Sequence, residues 1–523
     1  MAAVDPTTTP PAATTGRIGP TVVTVLALSF GAVTTAFLAV FMMRKGMIPD
    51  LHWILGSGQY ILDHGRLPTT DIFSWSMADK PVLLYQWLFM ALTAAGERLL
   101  GLRGLMLAFT ALLLGIYLVI PLLGAVPRRV PAAFTVAVGG LGLAIITVNM
   151  ALRPMIATSA LLLLQYVVIQ RWRRGRLRLW TAAALTAPTY LLWANLHNGV
   201  ALGFGSMLFF ALGDLAERLR LYPFDPADPE IEGRPQRPGP YLLLATVAAA
   251  GSLVNPYGLG TFAHLADYSS TKYLVDVINE TQSPDFHFPQ FVMFLMLVCG
   301  TVAAMPRATR AIAAGDLLHL ALFTAATFSM QRMVVWAVLF YVLILPRALH
   351  HCWTAPVAGD LGIVTALRRS SMVVRRSGTA MAGVVLGAMT LWQATALHQL
   401  SDRCEDVRAA ITAYAGQQRA TDRLFTTALV GSCALALDPP PRVFFDSRFD
   451  FYGEAFSRQV IDAEALRPGW REFLDAWRID TAIVERQQAL AQALAVDPDF
   501  TIVYEDDTAV IARRSKPQTT AAN

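Results

Sequence analysis

Apolar runs close to the roughly 20 residues that carry a helix across a bilayer recur along this chain. They fall at approximately 20–43, 104–126, 131–150, 153–170, 178–195, 199–215, 240–254, 289–305, 312–329, 332–347 and 378–398, several of them short or abutting at a Pro. A backbone in hydrocarbon must bond its own amides, so such runs have to be helices packed on one another. About eleven spans within 20–399 therefore predict an all-α polytopic membrane domain. A chain that is 55% hydrophobic and only 15% charged, with mean hydropathy +0.47, agrees with a lipid-facing surface and argues against a string of soluble domains. Residues 1–19 are rich in Thr, Pro and Ala and lack a basic n-region, which predicts a disordered tail. The run at 20–43 is too long for a signal h-region, so it reads as an uncleaved first span.

Basic residues set the orientation. With the N-terminus cytoplasmic, the clusters Arg128-Arg129, Arg171 to Arg178, Arg218 to Arg237, Arg307 with Arg310, and Arg368 to Arg376 all fall on the cytoplasmic side. This holds only if 81–99, with Tyr85-Gln86-Trp87 and Glu97-Arg98, is an interfacial amphipathic helix and not a span. The opposite face then receives the loop 44–103, the outer turns and everything after 400, which predicts an inner-membrane protein with an extracytoplasmic C-terminal domain.

That domain, 400–514, reads as a small α/β unit. The pattern gives a helix at 404–416, a strand at 442–446, a helix at 470–477, a strand at 481–484, a helix at 487–495 and a hairpin of 501–504 with 509–512. It contains no GxGxxG, P-loop, HExxH or nucleophile elbow. Cys404 and Cys433 both lie in it; an oxidising compartment would allow a disulfide between them, and two unpaired thiols is the plainer reading. Residues 515–523 read as a disordered end.

Most unusual polar residues gather on the outer face. Asp50 follows the first span, where a carboxylate partly withdrawn from water is placed to act as a general base; a helix cap is the plainer alternative. His52 and Asp71 share that loop, and five histidines in all (His52, His64, His197, His264, His287) fall on this face. Arg153, beside Pro154, is costly at that depth unless it meets an anion. With Arg332 it is suited to bidentate contact with a lipid phosphate, or to an ion pair with Asp50 or Glu280. Asn195 and His197 project from a tight turn closed by Gly199, and Asn255-Pro256-Tyr257-Gly258 is a second turn with a ring suited to a sugar or a prenyl chain. Glu280 offers a second carboxylate to complement Asp50.

The chain resembles bacterial glycosyltransferases of the GT-C superfamily. The resemblance lies in the first span followed by an early Asp, the Gly-x-x-Ile-Leu-x-x-Gly-x-Leu-Pro-like stretch, Asp71-Ile72-Phe73-Ser74, Tyr85-Gln86-Trp87-Leu88, Arg153-Pro154, Trp193-Ala194-Asn195-Leu196-His197, Asn255-Pro256-Tyr257-Gly258 and Phe445-Asp446-Ser447-Arg448-Phe449-Asp450-Phe451-Tyr452-Gly453. It implies a polyprenyl-phosphate-linked sugar donor, a membrane setting, a glycan, lipid or protein acceptor, and inversion with Asp50 as base. The acidic doublet many relatives carry after the first span is absent here, since Leu51 and His52 follow Asp50; a divalent metal is possible but not indicated, and no other cofactor is. Nothing points to nucleic acid. Ligation or polymerisation of lipid-linked oligosaccharide, a transporter or flippase, and a non-catalytic scaffold for envelope polysaccharide assembly are the competing readings. The transporter reading calls for internal repeats, and no convincing repeat is found. The 446–450 motif is read either as a rim for a glycan acceptor or as a strand-end salt bridge.

Overall fold

The computed structural model describes residues 48–515, except 128–129, 131, 147–150, 223–232, 271–272, 274–277, 309–311, 355–402 and 420–421. The expected spans at 20–43 and 378–398, and both terminal tails, lie outside the described residues.

The described part opens with α1, Pro49–His64. Pro49 suits a first helical turn, where its missing N–H has no partner to lose, and Asp50 in that turn complements the positive end of the helix dipole. Leu51 and Ile54 are fully buried, each contributing about 1.5–3 kcal/mol, and the helix packs on the first half of α2, Trp87–Leu114. α2 breaks at Gly101, whose φ of 67° lies in the left-handed region a side chain would strain. The segment expected as an interfacial helix is thus the arm of α2 before the bend. The apolar arm after it continues through two π-helical turns to Ala125.

Each expected span from 131 to 347 coincides with a helix: α3 Ala132–Ile146, α4 Met155–Arg173, α5 Leu179–Leu196, α6 Val200–Arg218, α7 Pro238–Ser252, α9 Pro289–Ala308, α10 Ala314–Ser329 and α11 Val334–Thr354, with α8 Gly260–Ser270 between α7 and α9. Five helical stretches among the described residues are long and apolar enough to cross a membrane, and the chain is a multi-pass membrane protein. Lipid offers apolar helices no gain for leaving it, so polar ties help fix the bundle. Asp316 pairs with Arg347 at 2.6 Å and accepts from Tyr166 at 2.9 Å. Arg173 pairs with Asp214, which also accepts from Tyr241 at 2.6 Å and from the Gln236 amide at 2.8 Å. The helices alternate in direction, so Arg173, Asp214, Gln236 and Ala314 gather at one end while Arg153, His197, Glu280 and Gln331 gather at the other.

The C-terminal domain is a four-stranded sheet in the order β1-β2-β4-β3, with β1 Leu424–Thr426, β2 Thr481–Glu485, β3 Phe500–Glu505 and β4 Ala509–Arg514. β1 runs parallel to β2, with Phe425 opposite Ala482, and β3 and β4 form the expected hairpin. Around the sheet lie α12 Arg403–Ala415, α13 Ala428–Ala434, α14 Glu454–Glu464, α15 Trp470–Ala476 and α16 Ala489–Val496. Phe425, Phe444, Phe445, Tyr452 and Phe456 build the core with Val460 and Leu474. Cys404 and Cys433 form a disulfide joining α12 to α13.

The expected strand at 442–446 is corrected. Only Val443 pairs, in a single bridge to Ser74, while the Phe445 amide donates to Thr426 Oγ1 and its carbonyl accepts from the same hydroxyl. A side chain and the outer loop take the hydrogen bonds a ladder would have used. That loop docks on the domain further through Trp75 Nε1 on the Leu424 carbonyl and Lys80 Nζ on the Tyr452 carbonyl.

Candidate functional site

α1 presents Asp50 in its first turn, and Arg153 stands just before α4 with its amide bonded to the Ala151 carbonyl. Arg153 Nη2 lies 2.7 Å from Asp50 Oδ2, and Nη1 bonds to Glu280 Oε1 on the short turn Asn279–Thr281. Of the alternatives open for Arg153, the ion pair forms with both acids at once. The side chains of Asp50, Arg153 and Glu280 remain 22%, 25% and 38% exposed, so the cluster opens onto the surface. Two carboxylates surround one guanidinium, and Arg153 Nε is buried without a partner among the described residues. Such a cation can exchange a carboxylate for a phosphate oxygen at little geometric cost.

Asp50 Oδ1 accepts a hydrogen bond of 2.5 Å from Ser447 Oγ, a residue of the C-terminal domain. Sequence reasoning did not assign Ser447 this role. It lies within the quoted 446–450 motif, but 397 residues separate it from Asp50 and no local pattern links them.

Arg332 follows Gln331, whose amide donates to the Gln282 carbonyl and whose side chain donates to the Asn279 carbonyl, setting it beside the Glu280 turn. His197 lies close by. Gly199 N–H donates to its Nδ1 at 3.1 Å and Thr158 Oγ1 stands 2.8 Å from the same atom, so Nδ1 is the acceptor and the neutral ring carries its proton on Nε2. Burial, aided by the Arg332 cation, holds His197 down to about 3. A side chain at Gly199 would start 2.2 Å from Thr158 Oγ1, so the turn requires glycine.

Asn195, Asn255 and Tyr257 act as struts. Asn195 Oδ1 accepts from Trp87 Nε1 and its amide donates to the Leu191 and Val254 carbonyls, all at 2.8 Å. Asn255 Oδ1 accepts from the Tyr257 amide at 2.8 Å and from Thr261 at 2.9 Å, and Tyr257 Oη accepts from the Leu84 amide at 3.0 Å. Together they fix the start of α2 against the ends of α5 and α7.

Asp71 is buried in an ion pair with Arg448, 2.6 Å away, which also binds Asp446 at 2.6 Å. Burial alone would raise the Asp71 carboxyl, but Arg448 and Ser74 more than offset it and hold the group below the usual range. His52 is buried with Nε2 unpartnered; burial and the Arg408 cation lower it to about 4. The structure therefore brings together Asp50, Arg153 and Glu280, with His197 and Arg332 at the same end of the bundle. Asp71 and the three struts are engaged by partners outside that cluster, and His52 is buried with no hydrogen bond to its acids or cations among the described residues. Among the described residues no three His, Cys, Asp or Glu side chains gather into a metal site.

No family model and no curated protein matches the chain. Solved structures do. ArnT from Cupriavidus metallidurans bound to undecaprenyl phosphate is 14% identical, with 94% of this chain and 98% of that one covered at a TM-score of 0.54. The same protein in the apo state is 15% identical with the same coverage and TM-score. The archaeal oligosaccharyltransferase AglB from Archaeoglobus fulgidus, in complex with an inhibitory peptide and a dolichol-phosphate, gives 11% identity, coverage of 94% and 74%, and a TM-score of 0.45. The chain has the fold of the ArnT structures, here a bundle of apolar helices followed by a small four-stranded sheet domain.

Proposed function

We propose that this chain is a membrane glycosyltransferase that moves a sugar from a polyprenyl-phosphate donor to an envelope lipid, glycan or protein acceptor on the extracytoplasmic face of the inner membrane. The observation that carries the reading is the contact between Asp50 and Arg153, 2.7 Å apart in an open cluster. A base for a hydroxyl stands beside a cation suited to a phosphate. The ArnT fold, in a structure that holds undecaprenyl phosphate, supports the donor class, and the disulfide in the C-terminal domain supports an oxidising compartment for this face.

In this mechanism the donor phosphate takes Arg153, with Arg332 at its rim. Asp50 accepts the proton of the acceptor hydroxyl as that oxygen forms its bond to the anomeric carbon. The bond from that carbon to the phosphate oxygen breaks, its electron pair leaves with polyprenyl phosphate, and Arg153 stabilises the growing charge. A single displacement from the opposite face inverts the anomeric configuration.

The test is to incubate the purified protein with a panel of undecaprenyl-phosphate sugars and follow free polyprenyl phosphate, with Asp50→Asn alongside. Turnover of one donor, lost in the variant while expression and insertion stay normal, is the expected result. Binding or turnover of no donor at all would move the assignment to a transporter or a scaffold.

A further inference from the structure

Asp50 has two partners with different fates in the proposed reaction. Arg153 is shared with Glu280 and would be claimed by a donor phosphate. Ser447 has no such competitor, and its position is fixed several times over. Its amide donates to Ser432 Oγ at 2.9 Å. Ser432 lies on α13, which Thr427 caps by accepting from the Val430 amide at 3.2 Å and which the Cys404–Cys433 disulfide ties to α12. On either side of Ser447, Asp446 and Arg448 are buried in one ion-pair cluster with Asp71. A carboxylate only accepts, so the Ser447 hydroxyl proton points at Asp50 Oδ1.

We infer that Ser447 is a positioning residue, supplied by the C-terminal domain, which keeps the Asp50 carboxylate aimed at the acceptor hydroxyl after Arg153 has turned to the donor phosphate. The inference rests on the glycosyl-transfer reading and adds a role for the soluble domain. A carboxylate released by Arg153, its one cation partner among the described residues, would otherwise swing about two side-chain torsions. The Ser447 hydrogen bond leaves it one orientation and keeps its remaining lone pairs open to the acceptor. The disulfide becomes part of the same support, because it holds the helix from which Ser432 holds Ser447.

The experiment is steady-state transfer by the full-length protein in lipid nanodiscs, with an undecaprenyl-phosphate sugar that the wild type turns over. Ser447→Ala is expected to lower kcat roughly ten- to a hundredfold with the KM for donor unchanged. Ser447→Thr, which keeps the hydroxyl, restores kcat. Cys433→Ser lowers kcat in the same direction as Ser447→Ala and adds little on top of it. If the alanine variant does not fold, Ser447→Cys, nearly the same shape with a weak donor, gives the same readout. A Ser447→Ala enzyme with wild-type kcat, or one whose loss Ser447→Thr does not rescue, beside an inactive Asp50→Asn, would overturn the positioning role and leave the glycosyl-transfer reading intact. An active Asp50→Asn would overturn both.

Discussion

Arg448 Nη1 stands 2.6 Å from Asp71 Oδ1 across a separation of 377 residues, and both side chains are buried. Nε and Nη2 donate to Asp446, Nη2 also reaches Asp71 Oδ2, and the guanidinium faces the rings of Phe73 and Phe451. The pair is the main electrostatic joint between the first outer loop and the C-terminal domain. Removing Asp71 leaves Arg448 paired with Asp446 alone and its buried Nη1 without the acceptor it had, which costs about 1–3 kcal/mol. Asp71→Ala is therefore expected to undock the loop from the domain. Limited proteolysis between residues 66 and 86 in detergent should show rapid cleavage of the variant and protection of the wild type; equal protection would assign the joint to the backbone bridge at Ser74 and Val443.

Arg153 links the two acids of the candidate site, so its substitutions separate charge from shape. Arg153→Lys keeps one positive charge but loses the planar fork that reaches Asp50 and Glu280 together. Binding of undecaprenyl phosphate, measured by calorimetry in nanodiscs, is expected to weaken about tenfold in Arg153→Lys, a loss near 1.4 kcal/mol, and further in Arg153→Ala. Unchanged affinity in Arg153→Ala would remove Arg153 from the phosphate site.

The membrane architecture was legible because its signal is long and one-dimensional. Runs such as 155–173 and 334–354 have one stable answer in lipid, and the bend at Gly101 falls between the segment read as interfacial, 81–99, and the segment read as a span, 104–126. In the C-terminal domain the hairpin of β3 and β4 was readable from alternation around Glu505-Asp506-Asp507. β1 was not: three residues, Leu424 to Thr426, are too short for a period to show. The false strand at 442–446 had the right composition, but Val443 pairs with Ser74 across the domain boundary, and sequence carries no trace of such a partner. The candidate site divides the same way. Asp50, Arg153 and Glu280 stood out as expensive charges beside spans, and the fold joins them. Asn195, Asn255 and Tyr257 looked alike as outer-turn polar residues, and only their satisfied hydrogen bonds mark them as struts. Ser447 gave no distinct signal, since its role depends on a contact between distant ends of the chain.

Glu464 supplies a pH dependence outside the candidate site. Burial, and then the neighbouring Glu485, push its carboxyl from the ordinary 4.5 up to about 8, and Glu464 Oε1 and Glu485 Oε2 lack hydrogen-bond partners. The folded value lies above the unfolded one, so the protonated acid favours the folded domain. That contribution is complete below about pH 4.5 and is lost as pH rises towards 8. Thermal unfolding of the wild type is expected to show the domain losing stability across this window, and Glu464→Gln, neutral at every pH, should flatten the slope. A variant with the wild-type slope would assign the dependence to other groups.

Arg178 opens α5 at the end of the bundle that holds Arg173 and Asp214, whereas Ser515, just past β4, belongs to the domain that meets Asp50 at the Arg153 end. With the basic clusters facing the cytoplasm, the first should be reachable only from inside and the second only from outside. Single cysteines at these exposed positions, in a background with Cys299 and Cys352 replaced by serine, can be tested in intact cells with a thiol reagent that does not cross the inner membrane. The disulfide-bonded Cys404 and Cys433 do not react with it. Labelling of Ser515→Cys and protection of Arg178→Cys are the expected outcome, with the second labelled only after lysis. The reverse pattern would put the Asp50 cluster in the cytoplasm, where the disulfide would be exposed to reductants, and the reaction proposed for the outer face would have to be abandoned.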